Sequence, residues 1–222
     1  MNGRISTGVK RLDDCLGGGI ERGIITEIYG EAGSGKTNFC LNLAIRNSQF
    51  GNVLYIDTEG VSGERVSQIS GNSETISNIK FFRVRSYDEQ LETVPKVINV
   101  APALENVIAL IFDTVTAHYR VERDRRAELR KRYGNTLTYQ IEMLNNLAIN
   151  MDIPVIMVNQ VYTEKNSIDV MPVGGSALSH MAKAIFMIQK VGQNRRDLVV
   201  IKHRSLPEHK KCAFIITGTG IE

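Results

Sequence analysis

Residues 30–37 read Gly30-Glu31-Ala32-Gly33-Ser34-Gly35-Lys36-Thr37, a glycine-rich turn closed by a lysine and a hydroxyl. Gly30, Gly33 and Gly35 let the backbone bend tightly enough to aim several N–H groups at one anion, and a helix starting just beyond them adds the positive end of its dipole. Lys36 has the reach and charge to meet the β- and γ-phosphates of a nucleoside triphosphate, and the Thr37 hydroxyl is the kind of group that joins Mg²⁺. The flanking residues agree. Ile24-Ile25-Thr26-Glu27-Ile28-Tyr29 is a β-forming run, and residues 38–46 carry helical spacing. The pattern implies ATP held by the whole turn, with Mg²⁺ as its companion.

Two further carboxylates have the right setting for phosphate chemistry. Leu110-Ile111-Phe112-Asp113 closes an apolar strand with an acid, and strand C-terminal ends face the ligand crevice of an open α/β sheet. Asp113 is therefore the candidate Mg²⁺ ligand acting through water, although an aspartate in that place also serves as a turn or helix cap. Tyr55-Ile56-Asp57-Thr58-Glu59-Gly60 ends another strand in acids. Glu59 can sit near a γ-phosphate without touching the metal, where a general base must stand; a solvated turn charge is the plainer alternative.

The elements that must carry these groups alternate between strand-like and helical stretches. Residues 53–56, 79–84, 107–112 and 153–158 are short apolar runs of the sort covered on both faces in a parallel sheet. The longest helical pattern spans about residues 123–150, with Leu129, Leu137, Ile141, Leu144, Leu147 and Ala148 along one face. Pro95 and Pro102 are expected to break or shorten the helix before the third strand. Beyond Gly174, residues 184–190, 198–203 and 212–217 read as closely spaced strands of an antiparallel appendage. A length of 222 residues suits one α/β domain that buries about 70% of its unfolded surface. Residues 1–13 lack the pattern of a signal peptide and no apolar run reaches about 18 residues. The expectation is a soluble, cytoplasmic, nucleoid-associated protein. Cys15, Cys40 and Cys212 are scattered without metal spacing and read as small buried hydrophobes with free thiols.

Taken together the motifs resemble the RecA family, and within it most closely the RadA/RadB recombinases, the core-only archaeal RadB paralogues above all. The resemblance rests on Ser6-Thr7-Gly8 with Leu12-Asp13, Gly17-Gly18-Gly19-Ile20, residues 25–37, Tyr55-Ile56-Asp57-Thr58-Glu59-Gly60, Asn159-Gln160-Val161, Pro172-Val173-Gly174-Gly175 and Leu206-Pro207-Glu208. It implies a RecA-like P-loop core with helices on both sides of a mainly parallel sheet. It further implies that Glu59 activates water and that Gln160 senses the γ-phosphate and signals to a DNA-binding loop. The Glu59 strand should lie beside the Asp113 strand, with the Gln160 strand between Asp113 and the phosphate loop. The family's helical DNA-binding domain and filament hook are not expected before Ser6. A single core domain over residues 1–222, with weak ATP hydrolysis and a supporting part in recombinational repair without strand exchange, is the expected outcome.

The net charge is only +3, so any nucleic-acid partner must be met by local clustering. Residues 119–133 hold Arg120, Arg123, Arg125, Arg126, Arg130, Lys131 and Arg132 between Tyr119 and Tyr133, with Glu122, Asp124 and Glu128 interspersed. Arginines can neutralise phosphates of single-stranded or branched DNA while tyrosine rings stack on bases; a solvated helix face is the alternative. The resemblance puts the first DNA loop here and a second, weaker one over residues 163–171, which contain Lys165. Lys202 and Arg204 are two apart and share a face if they lie in a strand. They could reach a neighbouring protomer's ATP, as in RecA-like ATPases such as KaiC, or meet DNA or solvent. Lys190, Arg195, Arg196, His209, Lys210 and Lys211 read as general surface basicity. Three functional classes stay open: a DNA-dependent motor, a mediator that recruits a recombinase, nuclease or polymerase, and a KaiC-like signalling ATPase. A homo-oligomer is compatible with each.

Overall fold

A computed structural model describes residues 3–71, 73–120, 130–163, 170–172 and 176–222. The strands that carry the motifs form at β3 (Ile25–Tyr29), β4 (Asn52–Asp57), β5 (Ile79–Arg83), β6 (Val107–Asp113) and β7 (Val155–Asn159). All five residues of β3 and of β7 are buried, as expected for strands covered on both faces. Side-chain alternation sends neighbours to opposite cores: Val53 and Tyr55 join one apolar cluster, Leu54 and Ile56 the other, and Ala109 and Ile111 are divided from Leu110 and Phe112 in the same way. Two short strands at the start, β1 (Arg4–Ile5) and β2 (Ile20–Glu21), pair with each other and flank α1 (Lys10–Cys15). The Asp13 carboxylate there fastens the opening motif, accepting from the Ser6 hydroxyl at 2.5 Å and from the Thr7 amide and hydroxyl at 2.7 Å each.

Helix α2 (Lys36–Ser48) starts directly at the phosphate-loop lysine and packs Phe39, Cys40, Leu43 and Ala44 onto one side of the sheet. Helix α3 (Gly63–Ser70) follows β4. Helices α4 (Tyr87–Val100), α5 (Arg130–Met151) and α6 (Ser176–Met181) cover the other side. The stripe of α5 is buried at Leu137, Ile141, Leu144, Leu147 and Ala148; Leu129 lies outside the described residues. Pro95 does not break its helix. It sits inside α4, whose buried Tyr87, Gln90, Val94 and Val97 supply packing enough to carry the helix past one lost hydrogen bond. The break falls at Pro102, in a 3₁₀ turn over Ala101–Ala103.

Strands β10 (Ala184–Lys190), β11 (Arg195–Lys202), β12 (Lys211–Thr217) and β13 (Gly220–Ile221) complete one nine-stranded sheet in the order β13-β12-β11-β10-β3-β7-β6-β4-β5. β10 lies parallel to β3, and antiparallel pairing begins with β11. The expected order holds: β4 neighbours β6, and β7 separates β6 from β3. A separate pair, β8 (Val161–Thr163) and β9 (Val170–Pro172), runs antiparallel after Gln160. The cysteine reading needs correction, because Cys15 and Cys212 form a disulfide and only Cys40 is free. The fold lays α1 against β12, which brings together two sulfurs 197 residues apart. Among the described residues no helix is long and apolar enough to cross a membrane.

Candidate nucleotide site

Parallel strands deliver their C-terminal ends to one edge of the sheet, and each proposed ATP contact follows such an end. The phosphate loop follows β3, Glu59 follows β4, Asp113 ends β6 and Gln160 follows β7. A cleft of about 380 Å³ opens there, lined by Gly33, Gly35, Lys36, Thr37, Glu59, Arg120 and Gln160 among others. Gly35 has φ 101°, a left-handed conformation that a side chain would strain. Lys36 is buried and folds back on its own loop, its Nζ donating to the carbonyls of Gly30 at 2.8 Å and Glu31 at 2.9 Å. Burial pushes its ammonium below the ordinary lysine range, while the charges of Glu59 and Asp113 pull it back up.

Asp113 is wholly buried. The Tyr55 hydroxyl donates to its Oδ2 at 2.9 Å, whereas Oδ1 has no hydrogen-bond partner. Burial pushes this carboxyl up to about 6, helped by the charges of Glu59 and Asp57, against the opposing pull of the Tyr55 and Thr37 hydroxyls. A buried carboxylate oxygen without a donor, close to a threonine hydroxyl, fits Mg²⁺, which keeps several waters and needs few protein ligands. Among the described residues no group of three or more His, Cys, Asp or Glu could hold a metal by itself, so the remaining ligands must come from phosphate and water.

Backbone and hydroxyl contacts lock the Glu59 strand end to the Asp113 strand end. The Thr58 amide donates to the Asp113 carbonyl at 2.9 Å, the Thr114 amide to Thr58 Oγ1 at 2.7 Å, and Thr58 Oγ1 to the Thr114 carbonyl at 2.9 Å. Asp57 turns the chain for Glu59, accepting from the amides of Gly60 at 2.7 Å and Val61 at 2.8 Å. Gln160 Nε2 donates to Glu59 Oε1 at 2.8 Å, and the Thr114 hydroxyl reaches the same oxygen at 3.4 Å. Lys36, Thr37, Glu59, Asp113 and Gln160 are thus gathered at one place.

Other sites read from the sequence fare differently. Arg120 lines the nucleotide cleft. Arg123, Arg125 and Arg126 lie outside the described residues, as do the side chains of Arg130, Lys131 and Arg132 at the start of α5. Tyr119 is half-buried, and its ring packs on Tyr87 at a centroid distance of 5.8 Å. Lys165 in the second candidate loop lies outside the described residues. Strand β11 ends at Lys202, so strand alternation does not extend to Arg204. Lys202 Nζ donates to the carbonyls of Ser179 at 3.0 Å and Ala182 at 2.8 Å, and Arg204 pairs with Glu21.

Two residues escaped the sequence reading. Arg196 is buried and binds the back of the phosphate loop, which removes it from the surface-basicity group. The strand alternation that buries Leu198 and Val200 also points Arg196 inward, and that was the available signal. Glu27, in the apolar run before the loop, is fully buried; it accepts from Asn159 Nδ2 at 2.9 Å and from the Ser179 hydroxyl at 3.3 Å. Asn159 in turn accepts from the Thr116 hydroxyl at 2.6 Å. Burial raises the Glu27 carboxyl against the pull of those two donors and the Lys202 charge.

Comparison with known proteins agrees with this architecture. The Rad51 family model matches residues 3–222. The chain is 43% identical over 216 residues to the DNA repair and recombination protein RadB of Methanococcoides burtonii, covering 96% of this chain and 94% of that one. It is 39% identical over 220 residues to the protein of the same name from Archaeoglobus fulgidus, covering 98% and 97%. A crystal structure of the RadB recombinase superposes with a TM-score of 0.82 at 31% identity over 98% of both chains.

Proposed function

We propose, on the premise that this chain belongs to the Rad51 family of RecA-like recombinases, that it is an ATP- and DNA-binding recombinase paralogue supporting homologous recombination and DNA repair. It hydrolyses ATP slowly with Mg²⁺ and exchanges no strands of its own. The observation that carries the reading is the 2.8 Å hydrogen bond from Gln160 to Glu59 beside Lys36 and Asp113. A γ-phosphate entering the cleft competes for the Gln160 amide, because both it and Glu59 are anionic acceptors. Lys36 exchanges the Gly30 and Glu31 carbonyls for phosphate oxygens, and Glu59, released from Gln160, orients a water and takes its proton. Thr37, with Asp113 acting through water, would hold Mg²⁺, which would supply positive charge to offset that of the phosphates.

Gln160 leads directly into β8, and Arg120 lies on the cleft wall at the head of the basic stretch. Phosphate occupancy can therefore be relayed to both candidate DNA loops. The RadB relatives are named for DNA repair and recombination, and we carry that role to this chain as a single RecA-like core in the cytoplasm. DNA, single-stranded or branched, is its partner, with a repair recombinase, nuclease or polymerase recruited in the ATP-bound state. An action of Lys202 and Arg204 on a neighbour's ATP would require both to leave partners within the chain, which disfavours the KaiC-like reading.

Steady-state hydrolysis by the parent and Glu59→Gln, with and without single-stranded DNA, tests the assignment. Turnover should fall by about 10² or more in the variant while ATP affinity stays within a few-fold. Equal turnover in the two would remove Glu59 from the base role. Strong DNA stimulation accompanied by filaments would favour a motor instead.

A further inference from the structure

We propose that Arg196 is a positioning residue of the phosphate loop, gripping the loop's carbonyls from behind so that its peptide N–H groups stay aimed at the nucleotide. This rests on the nucleotide reading of residues 30–37 and deepens it. Arg196 Nε donates to the Ser34 carbonyl at 2.8 Å, and Nη2 reaches the Gly33 carbonyl at 3.4 Å. Its Nη1 donates to the carbonyls of Gly192, Gln193 and Arg195 at 3.1, 3.3 and 2.9 Å. One rigid guanidinium thus bridges the β10–β11 turn to the loop, a fork geometry that a lysine ammonium cannot reproduce.

The peptide plane explains the consequence. In a trans peptide the C=O and the next N–H point in opposite directions, so holding the Ser34 carbonyl on the outer side turns the Gly35 N–H toward the cleft. Gly35 is pressed close to the same support, since a Cβ there would meet Ile216 Cδ1 at 2.6 Å and Arg196 Nε at 3.8 Å. Charge adds a second reason. Among the described residues the hydrogen-bond partners of Arg196 are all carbonyl oxygens, and no carboxylate pairs with it. A buried cation without a counter-charge is costly, and a polyphosphate on the opposite side of the loop supplies the missing negative charge.

The test compares Arg196→Gln and Arg196→Lys with the parent by titrating a fluorescent ATP analogue in Mg²⁺, alongside amide hydrogen exchange; Lys36→Ala serves as a control. Arg196→Gln should weaken binding on the order of tenfold, and Arg196→Lys, which keeps the charge but not the fork, should recover only part of it. Faster exchange should be confined to residues 33–37 and 191–196, with β3 and β7 as protected as in the parent. Parental affinity in Arg196→Gln, set against a weakened Lys36→Ala, would overturn the positioning role. Faster exchange throughout β3 and β7 would overturn it too, marking Arg196 as a general core cation. Parental affinity in Lys36→Ala would overturn the nucleotide reading itself, and the proposal with it.

Discussion

Asp113 shows what a buried carboxylate with too few donors costs the chain that carries it. Its neighbours provide one hydroxyl bond through Tyr55 and leave Oδ1 without a donor, so burial dominates and the carboxyl rises to about 6. The sign follows from linkage. A raised folded pKa means that the native state prefers the protonated form, so this contribution to stability is complete below the ordinary carboxylate range near 4 and is lost as pH rises through about 6. At neutral pH the ionised group costs about 3 kcal/mol as an order of magnitude. Asp113→Asn, without nucleotide, should therefore be more stable than the parent at pH 8, and the gap should narrow by pH 5, while Mg²⁺-dependent ATP binding weakens. Urea denaturation at the two pH values checks this. A gap of the same size at both would show that the carboxyl is not the source. The stabilised but impaired variant is the usual signature of a functional residue kept at a cost in stability.

At the scale of elements, Glu27 ties β3 to β7 through Asn159 and to α6 through Ser179, with Thr116 beyond β6 joined to the same asparagine. These elements lead into the phosphate loop, the Gln160 segment and both candidate DNA loops. Glu27→Ala strands buried donors and opens a cavity, so a loss of roughly 2–4 kcal/mol is expected, whereas Glu27→Gln keeps an acceptor and should cost less than about 1 kcal/mol. Equal and small losses in chemical denaturation would show the network to be idle.

Why the sheet was readable and the network was not has one physical cause. β3, β4, β6 and β7 declare themselves because burial on both faces demands near-continuous apolar runs, and the candidate ATP residues stand where those runs end. Side chains such as Glu27 and Arg196 owe their surroundings to elements distant in sequence. Glu27 meets Ser179 from 152 residues away, and Arg196 meets Ser34 from 162, separations that local spacing does not encode. Pro95 failed as a helix breaker for a related reason, since tertiary packing of α4 outweighed local propensity.

At the scale of the whole molecule, the disulfide joins the first helix to the last long strand across a separation of 197 residues. Cys15 is partly exposed and Cys212 is buried, and the bond closes nearly the entire chain into a loop. Constraint of the unfolded ensemble grows slowly with loop length, and the chain-entropy model gives up to roughly 5 kcal/mol for a loop of this size. With about 2–4 °C per kcal/mol for a chain of this length, reduction should lower the Tm by on the order of 10 °C. The native contacts need not change: α1 still lies against β12, with Leu12 and Phe214 in the same core, so ATP binding at the distant cleft should persist below the new Tm. Thermal unfolding of the parent with and without reductant, with free thiols counted in each sample, checks the expectation, and Cys15→Ser should melt with the reduced parent. An unchanged Tm once all three cysteines titrate as thiols would mean that the packing of α1, and not the covalent link, holds the two ends of the chain together.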